Sequence, residues 1–585
     1  MQNLFKFKVS LLSTILAFLV ISFLGLNLIA TYSGTYHGSL MNTWPFTAGQ
    51  FPYTNDVFLQ NNIFSKTSII FGLFSFLKIN MSNDFIGFQV HTFLSLISGV
   101  FLFKIVKEFA NIKNINIIII IIFSIIAIDG KYFLVDANYS SWMIRHTGTT
   151  SHIGHASIFI FFWALLKEKN ITLFFLTPVM LLISVKSTFF SIGIGIIYSL
   201  FFYKSFKKKF WIISPIVTIL YMLSINVHSE IYDFETRKIL FDHLISREGN
   251  EASFHLQPII KIFLFILSFP VFFLLAKKLE SKKLKNLFIT TLVCTVGCFI
   301  WGFFYHKYGG NIWPQPKVAA LGPTRAVEVY ELFFAIILAI YIYKINFPAI
   351  LKIGLYCCLY YIPYGEKGVF LSLIIICSLI VIFLILKNSK FKSLNKIFLS
   401  EEKSFGPLSA IIFFLLIFPS VIYTISTKQF DMYSMKKINK WKTGPLHGKH
   451  NRIDSAVLLQ KCEDFILFDP DGKNWTNVIA GKSQYFDFTR LGINLFSIKL
   501  YNISKKRDQI YEDIMSSLQN NKAISVSSEN KLIKDNVVLL VNKKESSLFS
   551  SKIKKIDLKN GDFLVLFLSG EKENLFYNDC LKRLR

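Results

Sequence analysis

The chain has 585 residues, of which 53% are hydrophobic, 16% aromatic and only 17% charged. This composition excludes a soluble globular protein and indicates a multispan membrane protein. The net charge of +28 comes largely from short lysine bursts between apolar runs, which argues against nucleic-acid binding and is typical of cytoplasmic loops.

Apolar runs of membrane-spanning length predict about thirteen transmembrane helices. The first run, 9–30, follows Lys6 and Lys8 and is longer than a signal-peptide core, so we expect an uncleaved span that enters from the cytoplasm. The runs on either side of Lys186 fit two spans or a re-entrant hairpin. The other predicted spans are 85–103, 114–128, 153–166, 171–184, 188–203, 211–226, 258–276, 287–305, 331–345, 347–362, 369–386 and 404–426.

The distribution of charge sets the orientation of these spans. Loops that carry lysine bursts, such as 204–210 and 277–285, are predicted to face the cytoplasm, and loops with mixed or acidic charge to face outward. We therefore expect a protein of the plasma (inner) membrane. An odd number of crossings places its C-terminus outside the cytoplasm. The stretch 229–250 alternates acids and bases at helical spacing, which predicts an amphipathic interfacial helix.

Beyond the membrane domain, 1–426, residues 427–585 lose the long apolar runs and predict a small extracytoplasmic α/β domain. We expect strands within 465–475, 536–544 and 562–570 and a helix at 504–521 behind a serine cap. Cys462 and Cys580 are either a disulfide pair or two unrelated thiols.

The candidate functional residues are polar groups in loops predicted to face outward. The first loop, 31–66, is long for a connector and holds His37 and a lone carboxylate, Asp56, among aromatic residues. Asp56 fits a general base, a ligand for a divalent cation, or an ordinary cap of the helix that follows.

Two further loops add cations. The loop 132–159 carries Arg145 and His146, and its histidines lack the spacing of a zinc site, so we predict no metal there. The loop 306–334 carries Lys307, Arg325 and Glu328, and its Gly-Pro-Thr-Arg run predicts a helix that starts at Arg325. Lys186 lies between two short apolar runs.

The types of residue in these loops suggest a substrate. Arginine and lysine at a membrane surface suit phosphate oxygens, and aromatic residues suit the apolar face of a sugar or the first units of an isoprenoid lipid. We therefore predict a site for a lipid-phosphate sugar in which Asp56 is catalytic. Its predicted substrate-binding residues are His37, Arg145, His146, Lys186, Lys307, Arg325 and Glu328.

The layout resembles the integral-membrane glycosyltransferases of the C fold (GT-C), and more narrowly a group of bacterial multispan proteins placed beside that superfamily. The resemblance is carried by Tyr36-His37, Trp44-Pro45-Phe46, Pro52-Tyr53, Asn55-Asp56-Val57-Phe58 and Gly322-Pro323-Thr324-Arg325 with Glu328.

This resemblance implies a polyprenyl-phosphate sugar as donor and a catalytic or metal-coordinating acid at Asp56. The sequence departs from the superfamily in two places. Asn55 stands where many members have a second acid, and Val185-Lys186 where relatives often have His-Pro. Because of the first departure, the requirement for a divalent cation as cofactor stays open.

Two other functions compete with a glycosyltransferase. A transporter or flippase of lipid-linked saccharides also needs many spans and external cations, but typically shows internal repeats and charges at mid-membrane. A surface-polysaccharide polymerase or ligase would be expected to place its large external loop between late spans. In each case the expected partners are a lipid-linked saccharide and the surrounding membrane lipids.

Overall fold

A computed structural model of the chain describes residues 84–126, 150–225, 232–252, 258–388 and 411–417 with gaps of one to three residues, and parts of 455–580. The predicted first span at 9–30, the first loop at 31–66 and most of the span at 404–426 lie outside these residues. The chain divides into two units: a helical unit within 88–225 and 241–430, and a second unit, called here the C-terminal unit, that contains 455–580 and also the described residues 84–87 and 232–240.

Before residue 418 the described elements are helices, mostly apolar ones. In chain order they are α1 (Asp84–Phe109), α2 (Ile115–Ile126), α3 (Thr150–Leu166), α4 (Asn170–Ile183), α5 (Val185–Phe202), α6 (Phe206–Lys209), α7 (Ile213–Ile225), α8 (Phe234–Ala252), α9 (Ile259–Lys277), α10 (Lys282–Ile312), α11 (Pro316–Ala319), α12 (Arg325–Lys344), α13 (Ala349–Tyr361) and α14 (Glu366–Asn388).

Three stretches of helix among the described residues are long and apolar enough to cross a membrane: Ile259–Lys277, Lys282–Ile312 and Ala326–Lys344. Shorter apolar stretches are Ser157–Leu166, Asn170–Ile183, Thr188–Phe202, Ala349–Tyr361 and Val369–Ile385. A mainly helical chain with apolar helices is therefore confirmed. The helix predicted within 229–250 is also present, as α8.

Helix α12 lies at the centre of the helical unit. It packs against α2, α5, α9, α10 and α13. Of the residues in its apolar stretch, 83% are buried, whereas only 22% of those in the apolar stretch of α9 are buried. Aromatic rings fill the contacts around it: the Phe333 ring centroid lies 4.7 Å from that of Phe162 on α3 and 4.9 Å from that of Phe288 on α10. The helix is therefore sheltered by protein on most sides.

Ion pairs join several helix ends at one side of this unit, which we call the lysine-rich end. Glu108 pairs with Lys167 at 2.7 Å, and Lys344 Nζ lies 2.7 Å from Glu280. Glu168 pairs with Lys208 and Lys283. These contacts bring together the ends of α1, α3, α9 and α12 with the start of α10. Because the chain alternates direction, α5, α9 and α12 begin at the opposite end.

The turn between α3 and α4 closes tightly at this lysine-rich end. Glu168 adopts a left-handed conformation with φ 58°, and Lys169 N donates to Ala164 O at 2.9 Å. This hydrogen bond and conformation form the helix C-terminal motif in which one left-handed residue satisfies the last carbonyls. The turn places the Glu168 carboxylate within reach of Lys208 and Lys283.

The C-terminal unit contains a five-stranded sheet in the order β2-β1-β3-β5-β4. Strand β1 pairs in parallel with β2 and β3, while β5 runs antiparallel to β3 and β4. The strands are β1 (Ile466–Phe468), β2 (Ser483–Gln484), β3 (Val537–Asn542), β4 (Lys554–Asp557) and β5 (Asp562–Phe567), and the helices α15 (Ile498–Gln519), α16 (Val526–Asp535) and α17 (Lys543–Ser546). Mixed strands and helices match the predicted α/β composition.

Two boundaries in this unit differ from the prediction. The helix expected from 504 begins at Ile498, so Ser504 lies inside it and does not cap it. Strand β3 ends at Asn542, because the Asn542 side chain and Glu545 form a capping box that starts α17. Of the two alternatives that the sequence left open for Cys462 and Cys580, the structure shows the disulfide.

The predicted loop 306–334 is also largely helical. Helix α10 continues to Ile312, and α12 begins at Arg325, so residues 313–324 are what remains between them. Lys307 and Glu328 are therefore helical residues and not loop residues. The prediction ended each span where charge appeared, whereas a helix can continue past the apolar layer because its backbone groups bond to one another.

Candidate functional site at the start of helix α12

The predicted site residues fall into two groups. His37, Asp56, Arg145 and His146 lie outside the described residues. Lys186 is the second residue of α5, Lys307 lies in the last two turns of α10, and Arg325 and Glu328 lie in the first turn of α12. Helices α5 and α12 pack together and begin at the same end of the unit, so the backbone brings the positions of Lys186, Arg325 and Glu328 to one end.

The predicted helix start at Arg325 is confirmed. Gly322 has φ 63°, a conformation that glycine adopts without steric cost, and its N–H donates to Ala319 O at 3.1 Å. Ala326 N donates to Pro323 O at 3.1 Å, which closes the first turn of the helix. Arg325 therefore stands where the free N–H groups and the dipole of α12 favour an anion.

Two carboxylates are buried one turn apart in α12. Glu328 is 2% exposed and Glu331 is 4% exposed. A rise of 1.5 Å per residue puts Glu331 about 20 Å and Glu328 about 24 Å from Lys344, which marks the lysine-rich end. If a hydrocarbon layer about 30 Å thick starts at Lys344, both carboxylates lie in its far third. Acids at such depth are costly and are by default functional.

Aromatic residues of α9 pack against Tyr330, which lies between the two acids in the sequence. Tyr330 shares a hydrogen bond of 2.7 Å with the Ser268 hydroxyl. The Tyr330 ring meets Phe265 and Phe269 edge-on, with ring centroids 5.5 and 5.6 Å apart. Apolar walls with a few polar groups are typical of ligand sites.

The end of α10 adds a second group of aromatic residues. Tyr305 stacks on Trp301 with ring centroids 5.5 Å apart, and its hydroxyl accepts from Gln315 N at 3.2 Å. Lys307 is exposed and lies 5.2 Å from the ring of Tyr308. This cation therefore faces outward from α10, where it can meet a ligand at the surface but not one buried beside Glu328.

Glu331 and His306 were not among the predicted site residues. The structure buries both, His306 at 3% and Glu331 at 4% exposure. The sequence could have indicated Glu331, because it lies three positions after Glu328 and therefore on the same face of the helix. The sequence did not indicate His306, because the predicted span ended at residue 305 and left His306 outside the helix.

Comparison with models of known protein families and with curated proteins found no match to this chain.

Proposed function

We propose that this chain is a GT-C-like membrane glycosyltransferase that moves a sugar from a polyprenyl-phosphate donor to an acceptor outside the cytoplasm. It crosses the plasma membrane about thirteen times, with a cytoplasmic N-terminus and an extracytoplasmic C-terminal domain. Asp56 removes the proton from the acceptor hydroxyl, or instead holds a divalent cation.

The observation that carries this proposal is the buried Glu328 in the first turn of the helix that begins with Arg325. The guanidinium and the helix start suit the phosphate of a lipid-linked sugar. A carboxylate one turn away suits the sugar hydroxyls, which donate strong hydrogen bonds to an ionised acceptor. Ionisable groups within a membrane helix are by default functional.

Two further observations support the proposed orientation. Lysine clusters gather at one end of the helical unit, as expected of the cytoplasmic side. The disulfide between Cys462 and Cys580 suits an oxidising compartment, which is the expectation for an extracytoplasmic domain.

A transporter or flippase of lipid-linked saccharides is the second candidate, favoured by the paired burial of Glu328 and Glu331. Buried intramembrane acids also serve cation-coupled transport, where they bind and release protons or metal ions. The two functions differ in whether a glycosidic bond forms.

The test compares the wild type with Asp56→Asn and Glu328→Gln in membranes supplied with polyprenyl-phosphate sugars and cell-envelope acceptors. A transferase predicts that Asp56→Asn abolishes sugar transfer and that Glu328→Gln lowers it by about 10²-fold, with unchanged membrane insertion. Thr54→Ser is the matched control in the same loop. Full transfer by Asp56→Asn would reject the catalytic role, while translocation of a lipid-linked sugar without transfer would favour the transporter.

A further inference from the structure

A short segment of alternating aromatic and basic residues connects α5 to α7 at the lysine-rich end. We call residues 201–211, FFYKSFKKKFW, the aromatic-basic turn. Two hydrogen bonds hold it in place. The Tyr203 hydroxyl donates to Leu165 O, and Trp211 N donates to Asn170 Oδ1 at 3.0 Å. The turn is therefore fixed to the α3–α4 connection at both of its ends.

The phenylalanine rings of the turn point outward. Phe201 and Phe206 are each 78% exposed. Phe210 is 48% exposed and stacks on Phe174 of α4 at 5.4 Å between ring centroids. Exposed phenylalanines in one short segment are unfavourable in water and suit the boundary between headgroups and acyl chains.

The lysines of the turn divide into two kinds. Lys208 pairs with Glu168, and Lys209 Nζ donates to Leu200 O at 2.8 Å. Lys204 and Lys207 are exposed, and within the described residues neither forms an ion pair with an acid. Two cations thus stand beside the exposed rings of Phe201 and Phe206.

We propose that the aromatic-basic turn binds the headgroup of an anionic phospholipid. The Phe201 and Phe206 rings enter the acyl boundary, and Lys204 and Lys207 contact the phosphate and its neighbouring negative charge. Basic side chains at a membrane surface attract anionic lipids, and adjacent apolar rings favour a lipid over a soluble anion. This inference does not depend on the transferase proposal, because it concerns the opposite end of the helices from Glu328.

The test measures binding of fluorescent phosphatidylglycerol and phosphatidylcholine to the full-length chain in neutral detergent. Each lysine that contacts the anionic headgroup contributes about 1 kcal/mol, which is about fivefold in affinity. Lys204→Gln with Lys207→Gln should therefore weaken phosphatidylglycerol binding at least tenfold and leave phosphatidylcholine binding unchanged. The control, Lys277→Gln with Lys282→Gln, removes two exposed lysines at the same end and should retain affinity within about twofold.

A second variant separates a lipid from a soluble anion. Phe201→Ser with Phe206→Ser keeps every charge, and we expect it also to lose phosphatidylglycerol affinity. Glycerophosphate, which has the headgroup chemistry without acyl chains, should not compete. Unchanged phosphatidylglycerol binding in the lysine variant, an equal loss in the control, or full competition by glycerophosphate would each overturn the proposal.

Discussion

Glu168 Oε1 lies 2.6 Å from Lys283 Nζ, while the other carboxylate oxygen of Glu168 pairs with Lys208. Lys283 Nζ also donates to Leu166 O at 3.1 Å. One carboxylate in the α3–α4 turn thereby fixes the start of α10 and the short helix α6. The same carboxylate offsets part of the positive charge that gathers at the lysine-rich end.

Replacing Glu168 with glutamine should destabilise the folded chain by about 1 kcal/mol, the upper part of the range for partly exposed ion pairs, because it removes both pairs at once. The measurement is thermal unfolding in detergent, followed by intrinsic fluorescence. Glu280→Gln is the matched control, since Glu280 is 71% exposed and pairs with Lys344. An equal decrease in Tm for both variants would contradict the linking role of Glu168.

The pH dependence of stability should carry the signature of the same carboxylate. Hydrogen bonds from Lys208 and Lys283 hold the pKa of Glu168 below its usual 4.5. The folded state then binds this proton less readily than the unfolded state, so the stabilisation is complete above pH 4.5 and is lost as pH falls through the lowered pKa. The Tm difference between the wild type and Glu168→Gln should therefore shrink on acidification. A difference that stays constant between about pH 3 and pH 6 would argue against this linkage.

A pair of glycines in α5 allows a matched test of helix packing. A Cβ at Gly195 would collide with the ring of Phe161, which is fully buried on α3, whereas a Cβ at Gly193 has no atom within 4 Å. Gly195→Ala should cost about 1–3 kcal/mol through overpacking. Gly193→Ala should be neutral or stabilise by up to about 1 kcal/mol through helix propensity. Comparable Tm values for the two variants would show that α3 and α5 do not pack this closely.

The disulfide between Cys462 and Cys580 closes a loop with a sequence separation of 118. In the chain-entropy account, a crosslink of this span stabilises by about 4–5 kcal/mol, so Cys462→Ser should sharply lower the unfolding midpoint of the C-terminal unit. Maleimide labelling of the denatured chain should report two more thiols after reduction than before. Cys377→Ser, which removes an exposed free thiol from α14, is the control and should leave the midpoint unchanged. Equal labelling with and without reductant would contradict the crosslink.

Apolar runs of membrane-spanning length and the turn residues around Arg325 predicted most of the described helices and the start of α12. The apolar run 287–305 predicted a span, but it could not show that α10 continues through His306 and Lys307. Whether an interfacial residue remains helical depends on packing partners, here Phe241 of α8, whose ring centroid lies 5.5 Å from that of Tyr305. Such contacts are distant in the sequence and leave no local pattern.

The candidate site was predicted less completely than the fold. Charge in an apolar context identified Glu328, but burial of Glu331 beside it depends on the five helices that surround α12. The ion pairs of Glu108, Glu168 and Glu280 were also missed. The prediction considered the clusters of lysines and not the few acids that pair with them.

The central position of α12 also constrains how the protein is made. Four of its packing partners, α2, α5, α9 and α10, precede it in the chain, and α13 follows it. During synthesis the ribosome delivers α12 when most of its enclosure already exists, so Glu328 and Glu331 can pass from the insertion channel into protein without a long residence in lipid. Truncating the chain after α12 should therefore leave a helix that still inserts, whereas deleting α9 and α10 should hinder its insertion.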